Sequence, residues 1–227
     1  MNHILNFLLP RPCCACDSHL YSWEDQICTL CLMQLPISDY HLDPDNPVAE
    51  IFWGRVRLEQ AGAWFIFLKA SRFQKVLHRL KYQHQPKIGI ALGKLYAYQL
   101  KHSDVFLLPD VIIPVPLHPR RKRKRGYNQS EMIARGMSIA LDRPVRTDLL
   151  LRTAKTQTQT NKSRTERYEN VSGKFKVHKE EEIINKHILL IDDVITTGAT
   201  IEACAEELLK TEGIKVSIAA LAYAAKR

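Results

Sequence analysis

The chain has 227 residues, 45% of them hydrophobic and 25% charged, and 33 Lys and Arg against 24 Asp and Glu give a formal charge of +9. These values suit a folded protein with a full apolar core and exclude wholesale disorder or a fibrous repeat. The charge is local: without the run Arg120 to Arg125 only +3 remains, so one segment faces an anionic partner or forms a solvated basic loop.

No apolar stretch approaches the ~18 residues that a membrane-spanning helix needs. Ile4 to Leu9 is apolar, but no Lys or Arg precedes it and Pro10-Arg11 follows it, which does not fit a signal peptide and points to a cytoplasmic protein. Five of the six cysteines lie between positions 13 and 31, too clustered to tie distant loops together. Cys13-x-x-Cys16 and Cys28-x-x-Cys31 can each place two thiolates on one tetrahedral ion, and a structural Zn²⁺ site is expected. Asp17 to Ile27 is short for a zinc ribbon, so the reading is a compact knuckle with Cys14 as a surplus thiol and His19 as a substitute ligand. Asp43-Pro44-Asp45-Asn46-Pro47 reads as a linker that closes an N-terminal module at about residue 48.

Residues 49–109 form a second stretch. Val56 to Leu68 is apolar and interrupted at Ala61-Gly62, which predicts a hairpin of two short strands; its aromatics Trp64, Phe65 and Phe67 are read as core. Ser71 can cap a helix with Phe73, Val76, Leu77 and Leu80 on one face, and Pro86 opens another with Ile88, Ala91, Leu92 and Leu95. From 110 onward the pattern changes. Val111 to Val115 is a buried strand, the basic run follows as a loop, and a helix with Ile133, Gly136, Met137 and Ala140 on one face comes next. His187 begins an aliphatic strand that leads to a helix with Ile201, Cys204, Ala205 and Leu208, and Val216 to Leu221 is a last strand. Buried strands alternating with amphipathic helices predict an α/β fold with a parallel sheet flanked by helices. Residues 152–167, RTAKTQTQTNKSRTER, carry no aliphatic side chain larger than Ala154 and are expected to be partly mobile.

The most informative stretch is 188–200. Ile188 to Ile191 is a central-strand sequence ending in Asp192 and Asp193, at the edge where open α/β sheets bind ligands. Thr196-Thr197-Gly198-Ala199-Thr200 then leads into a helix, and such a turn offers hydroxyls, backbone N–H groups and the helix N-terminus to one phosphate. Carboxylates for sugar hydroxyls beside a phosphate turn describe a sugar-phosphate site. A P-loop NTPase would need GxxxxGK[ST] elsewhere, and the chain has none.

ILLIDDVITTGAT resembles the PRPP (phosphoribosyl pyrophosphate) signature of type I phosphoribosyltransferases. With the cysteine pairs, PVPLHPRRKRKRGYNQSEMIA at 114–134 and QTNKSRTERYENVSGKF at 159–175, the chain resembles the ComF/GntX, or amidophosphoribosyltransferase-like, family, whose bacterial members include competence proteins for DNA uptake. The resemblance implies that Asp192 and Asp193 bind the ribose hydroxyls and act in catalysis, and that Thr196, Thr197, Gly198, Ala199 and Thr200 hold the 5′-phosphate. Arg125, Gly126 and Asn128 would lie near the pyrophosphate. Lys155, Gln159 and Arg167 would belong to a catalytic lid, and Mg²⁺ would accompany PRPP. It also implies single-stranded DNA and a competence helicase as partners. The chain begins Met1-Asn2, without the N-terminal cysteine of true amidophosphoribosyltransferases, so glutamine amidotransfer is not expected. Transfer to an undetermined acceptor and non-catalytic binding of PRPP or a nucleotide both remain open.

Overall fold

A computed structural model describes residues 11–68, 71–153 and 174–224. The centre is a four-stranded parallel sheet of β1 (Gln60–Ile66), β2 (Val111–Pro114), β5 (His187–Ile195) and β6 (Lys215–Tyr223), in the spatial order β1-β6-β5-β2. β3 (Leu150–Arg152) and β4 (Phe175–Val177) form a separate antiparallel pair. All four residues of β2 are buried, as are seven of the nine in β6, the signature of strands covered on both faces. Along β5, Leu189 and Ile191 point into one apolar cluster and Ile188 and Leu190 into the other, following the two-residue strand period.

The first cluster is covered by the short helix α1 (Thr29–Met33), which carries Cys31, and by α2 (Arg72–Tyr82), α3 (Pro86–Lys101) and α5 (Gln129–Leu141), the second by α6 (Ala199–Leu208) and the segment around Phe52. The two expected helices begin where their caps predict: Ser71 accepts from the Gln74 N–H and Pro86 occupies the first turn of α3. α3 and α5 cross backbone against backbone. A Cβ on Gly93 would lie 2.2 Å from the Ile133 carbonyl oxygen, and one on Gly136 would lie 2.0 Å from that of Ile90.

Three sequence expectations change. Residues 56–68 give one strand, β1, parallel to β6, in place of a hairpin. Ala61 and Gly62 are not a turn there: Ala61 is buried, and Gly62 leaves room for the Tyr96 hydroxyl, 3.3 Å from where a Cβ would stand. Residues 49–109 therefore contribute a strand to the same sheet as the rest of the chain. The supposed linker is a packed turn, because buried Asn46 donates to the carbonyls of Tyr40 (3.0 Å), Asp43 (2.7 Å) and Ala61 (2.7 Å) and accepts from the Val48 N–H at 2.9 Å. The basic run is a short helix, α4 (Pro119–Arg125), with proline in its first turn and a His118 ring nitrogen accepting from the Arg120 N–H. Arginine and lysine are good helix formers, and that local preference prevails over their mutual repulsion.

Candidate functional site

The site begins where β2 stops short. β5 pairs with β2 only as far as Ile191, whereas its pairing with β6 continues to Ile195. Asp192 and Asp193 occupy the step between the two and are only partly exposed. Asp192 Oδ1 accepts from the Ser130 hydroxyl at 3.0 Å and from the Asp193 N–H at 2.8 Å. Lys81 Nζ, in the last turn of α2, lies 3.1 Å from Asp193 Oδ2. Burial first, and the neighbouring Asp193 charge second, push the Asp192 carboxyl up to about 7. Two crowded carboxyls of this kind favour a ligand that brings hydroxyl donors or a cation.

The turn after β5 wraps toward the start of α6. Gly198 stands at the N-cap with φ +75°, and a Cβ there would meet Ile51 and Phe52 at 2.8 and 2.9 Å. Glycine is thus required by both backbone angle and space. Since glycine brings no capping side chain, the N–H groups of the first turn are left for an anion, aided by the helix dipole. Thr196 is exposed, Thr197, Ala199 and Thr200 are half-buried, and the Arg55 guanidinium steadies the turn by donating to the Thr197 carbonyl (3.5 Å) and to Glu202 Oε1 (2.9 Å).

The residues expected beside a pyrophosphate divide. Arg125 donates to Gln129 Oε1 at 2.7 Å with its guanidinium 5.3 Å from the Tyr82 ring centre, and Gly126, at φ +79°, ends α4. Asn128 is buried and its side chain is occupied: it donates to the Val115 carbonyl at 2.9 Å and accepts from the Ser130 N–H at 3.2 Å. It ties the end of β2 to the start of α5 and so positions Ser130. Lys155, Gln159 and Arg167 lie outside the described residues. Flanking them, the Thr153 N–H donates to the Lys174 carbonyl at 2.7 Å, extending the β3–β4 pair.

Four residues escaped the sequence reading. Lys81 and Ser130 reach the acids only through the packing of α2 and α5. Arg152, over the Phe175 ring at 5.3 Å, has a buried Nε without a protein partner among the described residues, and its charge interacts with that of Asp192. Burial and then the charges of Arg152, Arg120, Arg121 and Lys174 lower the His118 pKa, so the β2–α4 junction and the base of β3 gather positive charge near the acids.

The cysteine expectation is met in geometry. The sulfurs of Cys13, Cys16, Cys28 and Cys31 all lie within 4.8 Å of one another, and those of Cys16 and Cys28 are 3.8 Å apart. A tetrahedral ion with Zn–S bonds of about 2.3 Å spaces its sulfurs by about 3.8 Å, so the cluster is compatible with zinc. Backbone N–H groups of Ala15 and Cys28 point at Cys13 Sγ, and that of Cys31 at Cys28 Sγ, at 3.3–3.4 Å, which suits negatively charged sulfur. Neither Cys14 nor His19 joins the cluster.

Residues 83–227 match the family model of the phosphoribosyl transferase domain. The chain belongs to that family. Among relatives of this phosphoribosyltransferase-like protein, Competence protein F of Haemophilus influenzae is 28% identical over 97% of this chain and the whole of the relative. DNA utilization protein YhgH of Shigella flexneri is 32% identical over 66% of each chain, and Competence protein ComFC of Bacillus subtilis is 29% identical over 88% of this chain and 78% of the relative. The phosphoribosyltransferase core is accordingly joined to an N-terminal cysteine module, and no helix among the described residues is long and apolar enough to cross a membrane.

Proposed function

We propose that this phosphoribosyltransferase-like protein binds PRPP and transfers its phosphoribosyl group to an acceptor nucleophile, in the service of DNA uptake. The observation that carries the reading is the pair Asp192–Asp193 followed by the Gly198 turn and the uncapped start of α6, because a ribose flanked by phosphates needs both halves together. Asp192 and Asp193 bind the ribose hydroxyls. Thr196 to Thr200 take the 5′-phosphate. Arg125 and Gly126 stand nearest the pyrophosphate with Arg152 and His118, while Asn128 acts by holding Ser130. Lys155, Gln159 and Arg167 complete the machinery. Mg²⁺ would enter with PRPP and would supply charge neutralisation for the departing pyrophosphate. Zn²⁺ occupies the four-cysteine site in a reducing cytoplasm.

Calorimetry with Mg²⁺ and PRPP tests the reading: wild type binds, and Asp192→Asn/Asp193→Asn does not. Absence of binding by wild type would refute it. The basic helix α4, all of whose residues except Arg125 are exposed, favours a second reading in which the protein also holds single-stranded DNA and engages a competence helicase, as a binding module without transfer. Affinity for an oligonucleotide then falls steeply with salt, and replacing Arg120 to Lys124 by Ser flattens that slope; an unchanged slope counts against it. Competition between PRPP and the oligonucleotide separates a shared cleft from two faces.

A further inference from the structure

The first turn of α6 carries a buried carboxylate close to the end that would hold the 5′-phosphate. The Glu202 N–H donates to the Gly198 carbonyl at 2.9 Å, so Glu202 stands about one turn in from the N–H groups left for an anion. Its side chain is 3% exposed, against 29% for that of Arg55. A carboxylate in this position suits an empty helix N-terminus but opposes an anion bound at the same end. Arg55 answers the charge with a fork: Nε donates to Glu202 Oε1 at 2.9 Å and Nη2 to Oε2, while Nη1 donates to the carbonyls of Ile51 (2.9 Å) and Thr197 (3.5 Å). A cation that touches the phosphate turn is thus committed to protein groups. The segment that delivers it is fixed at several points. Asn46 accepts from the N–H groups of Val48 (2.9 Å) and Ala49 (3.2 Å), Ile51 and Phe52 fill the space beside Gly198, and the Arg55 N–H donates to the Phe52 carbonyl at 3.0 Å.

We propose that Arg55 and Glu202 form a compensating pair that sets how tightly the turn holds a phosphate. Arg55 is a positioning residue: it cancels the Glu202 charge and holds the Thr197 carbonyl. Glu202 in turn keeps the guanidinium off the ligand and so weakens the site. The proposal rests on the reading of this turn as the 5′-phosphate site. Tight binding of a group that does not itself react adds nothing to the rate of a chemical step, and a balanced pair allows the phosphate to leave after use.

The sign of the single substitutions separates this from an ion pair that only supports the fold. Removing either partner of a supporting pair loosens the turn and weakens binding in both cases. For a compensating pair the signs are opposite. Glu202→Gln frees a positive charge and tightens binding, and Arg55→Gln strands a negative charge and weakens it. Each change is about fivefold or more, the scale of one charge at roughly the distance of a helical turn or two, and Arg55→Gln/Glu202→Gln returns to within about twofold of wild type. Calorimetry of the four full-length proteins with ribose 5-phosphate, and with PRPP and Mg²⁺, measures this, and urea midpoints on the same samples establish that each is folded. Should Arg55→Gln fail to fold because its buried carboxylate is stranded, the comparison of Glu202→Gln with the double variant decides, with the former expected to bind about fivefold or more tightly. Weaker binding in both single variants, or no change in either, overturns the proposal. If that happens while wild type binds PRPP, the pair is structural and the phosphoribosyl reading stands. Opposite signs with ribose 5-phosphate in a protein that takes no PRPP leave the pair standing and refute that reading, and a wild type that binds neither probe refutes both.

Discussion

Replacing Asp192 by Asn should make the protein more stable and, at the same time, useless for ribose binding. The Asp192 carboxyl titrates near 7 in the folded chain against 3.8 for an exposed carboxyl, mainly through burial. The sign follows from linkage: the folded state holds this proton more tightly than the unfolded one, so stability is lost as pH rises from about 4 to about 7 and the deficit stays constant above. With those values ionisation costs the folded state about 2 kcal/mol at pH 5 and about 4 kcal/mol at pH 8. Asparagine has the same shape and keeps an oxygen for the Ser130 hydroxyl and the Asp193 N–H, but has no charge to desolvate. Its advantage over wild type should therefore widen by about 2–3 kcal/mol between pH 5 and pH 8. Urea unfolding of both proteins at the two pH values measures this, and titrating groups remote from Asp192 cancel in the difference. A gap that stays constant or narrows with pH would refute the reasoning, because it would mean that Asp192 is not held against ionisation.

Two further outcomes bear on the frame around the site. Gly136→Ala drives a methyl into the Ile90 carbonyl and should cost about 3 kcal/mol or more, visible as a lower urea midpoint at unchanged slope; an unaffected midpoint would mean that α3 and α5 can separate freely. Cys16→Ser removes one of four sulfurs, and native mass spectrometry should find one zinc per wild-type chain and none in the variant, with Tm lowered by more than about 5 °C. Full zinc content in the variant would exclude Cys16 as a ligand.

The parts of the site that were legible in the sequence are those built from consecutive residues. Ile188 to Thr200 declares itself because an uninterrupted aliphatic run, paired acids and a small polar turn follow one another in the order a sugar-phosphate site needs, and the chain lacks the GxxxxGK[ST] loop of the competing reading. The cysteine pairs are legible for the same reason. Lys81 was invisible because it looks like any solvated lysine on the polar side of α2 until the end of that helix is set against β5. Ser130 was hidden by its role in the first turn of α5, and the hairpin misreading arose because small residues that admit Tyr96 resemble small residues that turn a chain. In each case the missing information was contact across more than 60 residues or the shape of a neighbour, which no local pattern carries.

Helix α2 touches both the cysteine module and the paired acids. Arg79 donates to the Cys13 carbonyl at 3.1 Å and pairs with Asp17, as Lys75 does, while two residues further on Lys81 holds Asp193. The cysteine module and the sheet also share a single apolar cluster, in which Cys13 and Leu20 belong with Phe65, Phe73 and Leu189. Whatever fixes the four sulfurs therefore also helps to fix Lys81 at Asp193. Thiol oxidation, or loss of a metal from the four sulfurs, should therefore be felt at Lys81 and the Asp192–Asp193 pair.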